Sequence, residues 1–169
     1  MAQVEAARTA TQHEAAVEKR QLYSSYLNVC ERAVDSARAY SKYRQMFLSC
    51  AGDPVKLAEL ANHVEEMDRA FDDYLRLEAE ARLLLSQIAV MSGIEIYHVA
   101  QEPISVTPAI ARGEDLSAWY GARDLTAAIM HLDVTQPKDT QLLRMLIEQA
   151  RQRMKARIAA YEASQASQP

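Results

Sequence analysis

Glu95 and His98 stand three residues apart, the spacing with which a helix aims a carboxylate and an imidazole at one metal ion. A carboxylate-bridged metal pair needs two such motifs and two further glutamates. This chain has one copy, inside "IEIYHV", whose alternation reads as extended. His98 is therefore expected to lie over a helix surface. Glu59, His63 and Glu66, spaced four and three, share a helix flank where a divalent cation could sit. They neighbour the apolar seam of Leu57, Leu60 and Val64 and read as a solvated face. His13 and His131 stand alone. Nucleophilic catalysis would need a Ser or Cys beside a His and an acid, usually on loops at a sheet edge, and the pattern offers no sheet. The four glycines are isolated, so no phosphate-cradling loop is written here, and no CxxC occurs. The expectation is a non-enzymatic protein with no cofactor and no metal.

Arg144, Arg151 and Lys155, at steps of seven and four, put three cations on one side of the last helix and could track a phosphate backbone. Glu148 interrupts that face, no helix-turn-helix precedes it, and the formal net charge is −4 with a pI near 5.6. Nucleic-acid association is thus an alternative reading, and a metal- or small-ligand-binding bundle is another. Cys30 and Cys50 fall in one continuous helical pattern; twenty residues at 1.5 Å each separate them by about 30 Å, so they cannot pair within it.

These residues must be positioned by helices. With 169 residues, 49% of them apolar, the chain is long enough for one domain with a real core. Residues 2–51 hold no glycine or proline, and Leu22, Tyr26, Val29, Ala33, Tyr40, Tyr43 and Phe47 recur at steps of four and three. "AGDP" then stops the helix: Gly52 suits the left-handed position after a helix, Asp53 a cap, and Pro54 a first turn. Leu57, Leu60, Val64, Met67, Phe71, Tyr74, Ala81, Leu85 and Ile88 carry a second seam over 54–92. A tight turn makes the two helices antiparallel, with paired residue numbers summing to about 104. Shorter helices are expected over 114–132 and 138–164. Residues 93–113, with Pro103 and Pro108, read as an extended strap, and 164–169 as a disordered tail.

The fold expectation is all-α: a single domain over 1–163, built on a long coiled-coil-like antiparallel hairpin with two further helices completing a bundle. Charge alternates along the chain, with seven basic and five acidic residues in 1–52, four and nine in 53–92, two and six in 93–137, and six and three in 138–169. That division places the acidic second helix between the basic first and last ones. The later helices look too short to cover the hairpin, so Val17, Leu22, Leu84 and Ile88, with Ile94, Ile96, Val99, Ile104 and Val106 of the strap, are the expected partner-binding residues. They imply a scaffold or interaction protein that self-associates or docks on a helical partner. No apolar leader and no run long enough to span a membrane is visible, which points to a cytoplasmic setting.

Overall fold

A computed structural model describes residues 2–135 and 140–166. They form six α-helices: α1 (Ala2–Ser49), α2 (Pro54–Leu60), α3 (Val64–Ser92), α4 (Ile94–Ala111), α5 (Ser117–Thr135) and α6 (Thr140–Ala166). The described residues contain no strand. The expected all-α bundle on a long antiparallel hairpin is what the chain forms, with α1 against α3 as its most extensive packing. The turn is built as its sequence dictates. Gly52 sits at φ +101°, the Asp53 carboxylate accepts from the Val55 and Lys56 amides at 3.1 and 3.2 Å, and Pro54 occupies the first turn. One difference appears past the turn: a 3₁₀ turn, Ala61–His63, interrupts the helix expected to run unbroken over 54–92. Asn62 and His63 are weaker helix formers than the residues around them.

Ring pairs fix the register. Tyr43 stacks on His63 with centroids 5.9 Å apart, and Tyr40 meets Phe71 at 4.8 Å. Both partners, His63 in the 3₁₀ turn and Phe71 in α3, lie further along the returning chain than a sum of about 104 gives. Side chains lean toward the N-terminus of their own helix, so in an antiparallel pair each long side chain reaches a residue displaced along the other.

The strap reading of 93–113 is corrected: Ile94–Ala111 is a helix and the most buried one in the chain. Gly93, at φ +89° and ψ 168°, is the whole connection between α3 and α4, a conformation open to glycine alone at small cost. Three further helices, not two, therefore complete the bundle. Ile96, Val99, Ala100, Pro103, Ile104, Thr107, Ile110 and Ala111 recur at helical spacing, and all are buried.

Two prolines in a helix interior each cost about 3 kcal/mol, partly because the carbonyl four residues back loses its donor. Pro103 frees the Val99 carbonyl and Pro108 that of Ile104. Both find substitutes: the Thr126 hydroxyl of α5 donates to Val99 O at 3.4 Å, and the Thr107 hydroxyl to Ile104 O at 2.6 Å. The Tyr26 hydroxyl of α1 donates to Ala100 O one residue further along. Burial of Ile96, Val99, Ile104, Val106 and Ile110, at about 1.5–3 kcal/mol apiece, exceeds the remaining proline cost.

Around α4 the core gathers Tyr26, Val29, Ala33 and Ala37 of α1, Leu77, Ala81, Leu85 and Ile88 of α3, Trp119 and Ile129 of α5, and Ile147 and Ala150 of α6. The basic last helix does not pair with the acidic second one as expected. α6 packs on α5 and α4, where Arg151 meets Glu95 at 3.7 Å and Arg157 meets Glu102 at 3.7 Å. The expected tail over 164–169 falls partly within α6, and the rest of it lies outside the described residues.

Tyr26→Phe removes only the hydroxyl that holds Ala100 O, so urea unfolding is expected to show a loss of about 1–3 kcal/mol. Thr126→Val, which gives up a longer bond, should lose less. Unchanged stability in Tyr26→Phe would remove the hydroxyl from the account of why α4 is helical.

Candidate interaction surface

The core leaves few of the expected partner-binding residues available. Leu22, Ile88, Ile96, Val99, Ile104 and Val106 are buried within the single chain, because α4 and α5 cover the end of the hairpin that was expected to stay open. Val17 and Leu84 are half-buried, and Ile94 alone is exposed. That end is closed by polar contacts as well. Lys19 Nζ lies 2.9 Å from Asp133 Oδ2, the Tyr23 hydroxyl donates to the same oxygen at 2.6 Å, and Ser92 Oγ sits 2.5 Å from the Tyr23 oxygen. This clasp ties α1, α3 and α5, and burial first, then the Asp133 carboxylate, pushes the Tyr23 hydroxyl well above its ordinary range.

The residues weighed for metal binding lie apart. Glu95 is in the first turn of α4 and engages Arg151, while His98 is exposed on the next turn with its ring edge on Tyr97. His63 Nδ1 is 3.9 Å from Glu66 Oε2 and its ring is occupied by Tyr43. Among the described residues no group of three or more His, Cys, Asp or Glu side chains is placed to hold an ion. On α6, Arg151 is engaged by Glu95 and Glu148, Arg153 donates to Gly121 O at 2.9 Å and Arg157 to Ser105 Oγ at 2.8 Å. Arg144 and Lys155 face solvent, so the three-cation track divides between an engaged and an open part.

Two clefts, of about 230 and 250 Å³, open beside α1. One lies against Trp119 and Arg123, the other against Gly113 and Leu116. Both fall under the ~300–1,000 Å³ usual for small-ligand sites.

Exposed apolar residues stand in two places: Leu83, Val90, Met91 and Ile94 around the α3–α4 junction, and a longer regular row at the other end of the hairpin. The last turn of α4 ends beside Ser41 and Gln45, where a methyl group on Gly113 would collide with the Gln45 amide and lie 3.3 Å from Ser41 Oγ. Beyond that level α1 continues to Ser49 and α2–α3 return with nothing laid over them, forming a two-helix arm. Leu57 and Val64 lie along it, and Phe71, at the level of Tyr40, and Leu75 continue the row at steps of seven and four onto the edge of the body; each is at least 37% exposed. Leu48 on α1 is 58% exposed and Val55 68%. Asp68 and Asp72 are interleaved with Val64, Phe71 and Leu75 at steps of three and four and so share their face. Sequence reasoning assigned Leu57, Val64 and Phe71 to the intramolecular seam. They occupy its flank, and with nothing packed above them the flank stays open.

No family model, no curated protein and no solved structure matches the chain.

Burial pushes the Cys30 thiol up to about 12, whereas Cys50 lies half-exposed by the arm's turn. A disulfide exchange reagent at neutral pH is therefore expected to titrate one thiol rapidly, and the second only on unfolding; two fast thiols would contradict the burial of α1 against α4.

Glu102 of α4 is 3% exposed, and burial raises its carboxyl above the ordinary range against the opposing pull of Arg157 and Arg153. Its folded pKa exceeds its unfolded one, so its stability contribution is greatest below the unfolded value of about 4.3 and falls as pH rises through it. Glu102→Gln should accordingly raise the midpoint of thermal unfolding at pH 7 and leave it unchanged near pH 4. A variant less stable than the parent at pH 7 would show that the arginines outweigh burial.

Proposed function

We propose that the protein is a non-enzymatic helical scaffold that acts by docking, with the arm as its working surface and the α4-centred bundle as the body that holds the arm out. The carrying observation is the open apolar stripe Leu57, Val64, Phe71 and Leu75, with Leu48 facing solvent on the neighbouring helix. Monomeric proteins seldom expose contiguous apolar strips, and recurrence at seven-residue steps is the pattern a partner helix reads. The acidic interleaving supports the same reading, since charged residues at the rim of an apolar seam select the partner and its direction. None of the described helices is long and apolar enough to cross a membrane, so the strip reads as a protein-facing rather than a bilayer-spanning surface. The nucleic-acid alternative retains Arg144 and Lys155 as open cations, while Arg151 is held by carboxylates of its own chain. The clefts beside α1 give little room to the small-ligand alternative.

Leu57→Asp with Phe71→Asp tests the reading. In dilute solution the parent should enhance the fluorescence of an apolar dye such as anilinonaphthalene sulfonate. The double variant should lose a clear part of that signal while keeping its helicity, with a modest fall in the unfolding midpoint from the lost Tyr40–Phe71 contact, because neither side chain belongs to the buried core. Equal dye binding by both proteins would mean that the accessible apolar surface is elsewhere.

A further inference from the structure

We infer that the occupant of the arm is the arm of a second copy of this chain, joined about a two-fold axis running along the arms so that α1 of each copy lies over α3 of the other. The inference rests on the docking reading above and adds the partner and its orientation. Charge carries it. The α1 side of the arm bears exposed Lys42, which borders the cleft of Glu114 and Asp115 where the arm leaves the body, and exposed Arg44, with no acidic residue from 42 to 52. On the return side, 53–76 holds seven acidic and three basic residues, and exposed Glu65, Asp68 and Asp72 face solvent around the apolar stripe. The basic α6, which could have answered these carboxylates, is directed to Glu95 and Glu102 of α4.

An arm with one basic and one acidic side has a simple complement: itself, turned so that unlike sides meet. A two-fold axis across the arms would set α1 on α1 and α3 on α3, opposing like charges; an axis along the arms sets each basic side on an acidic one. The paired tips would form a four-helix bundle over the apolar stripe, and the two bodies, which begin at the level of Ser41, would diverge from it.

The uncovered tip is roughly 20 Å long and two helices wide, which gives an interface on the order of 400 Å² per copy, about half the standard size. The dimer is therefore weak, forming reversibly with a dissociation constant of about one to a few tens of micromolar, and it weakens with salt.

Charge reversal separates this arrangement from any other. One variant carries Lys42→Glu and Arg44→Glu, the other Asp68→Lys and Asp72→Lys. All four positions are exposed, so both proteins should fold as the parent does. Sedimentation equilibrium over a concentration series should show the parent dimerising and each variant weakened by at least about tenfold. An equimolar mixture of the two variants should recover dimer, because each reversed side then meets its opposite, an outcome that impaired folding cannot produce. Cys50, beside the turn, reports orientation: a short bifunctional maleimide should join two parent chains through it, whereas arms paired head to tail hold the two turns apart and would not crosslink. A parent that stays monomeric at about 0.1 mM, where a complex of even tens of micromolar would be largely formed, overturns the second copy as occupant. If its dye binding still depends on Leu57 and Phe71, the docking reading stands with another partner; if not, both fall. A parent dimer that neither variant disturbs, or a mixture that fails to recover it, also overturns the inference.

Discussion

The fold depends on a helix that two prolines should break. α4 lies at the centre of the bundle, with α1, α3, α5 and α6 all packed on it, and it presents its buried residues to them at helical spacing. Its helicity rests on who supplies the hydrogens that Pro103 and Pro108 cannot. The answer comes from two side chains, Thr126 on α5 donating to Val99 O and Thr107 within α4 donating to Ile104 O, while Tyr26 on α1 adds a bond to the neighbouring Ala100 O. Buried carbonyls left without donors would cost about 1–3 kcal/mol each, comparable to the burial of one large apolar side chain. α4 therefore forms only in the presence of α1 and α5, and this makes the bundle cooperative rather than a hairpin with attachments.

From that dependence follows the division of the molecule into body and arm. α4 has 18 residues, about 27 Å of helix, while α1 has 48, about 72 Å. The hairpin is covered only as far as α4 reaches, and past Ser41 the paired helices hold themselves by Tyr40, Tyr43, His63 and Phe71. Charge follows the same boundary. Within the body, Lys19, Arg123, Arg151 and Arg157 each meet a carboxylate on another helix. On the arm the ion pairs are local ones, Asp53 with Lys56 and Asp73 with Arg76, and exposed Lys42 and Arg44 on α1 stand across from exposed Glu65, Asp68 and Asp72 on α3, where Arg69 is the one exposed cation between them.

Much of this was legible in residue order. The seam of α1, the Gly52–Asp53–Pro54 turn and the antiparallel pairing follow from spacing and cap chemistry, and the structure has them. The strap was misread because proline and β-branched residues in "IEIYHVAQEPISVTP" speak locally against a helix, whereas Ile96, Val99, Pro103, Thr107 and Ile110 keep helical spacing throughout. The donor to the carbonyl that Pro103 frees lies 27 residues away in sequence, and the hydroxyl that holds the neighbouring Ala100 carbonyl lies 74 away, both beyond any local pattern. That single misreading assigned residues buried beneath α4 to the open surface, leaving Ile94 as the one exposed member of the expected set. With a strap, Leu22 and Ile88 stay exposed; with a helix, they are covered, and the opening is the flank of Leu57, Val64 and Phe71.

Amide hydrogen exchange resolved along the chain tests directly whether α4 is the helix on which the body is built. The account expects 101–111, except at the two prolines, to exchange as slowly as 22–37 of α1, because both open only when the body unfolds, with faster exchange along 41–49 and 54–71 of the arm. Amides of 101–111 that exchange at the rate of an unstructured chain, while α1 and α3 remain protected, would contradict it.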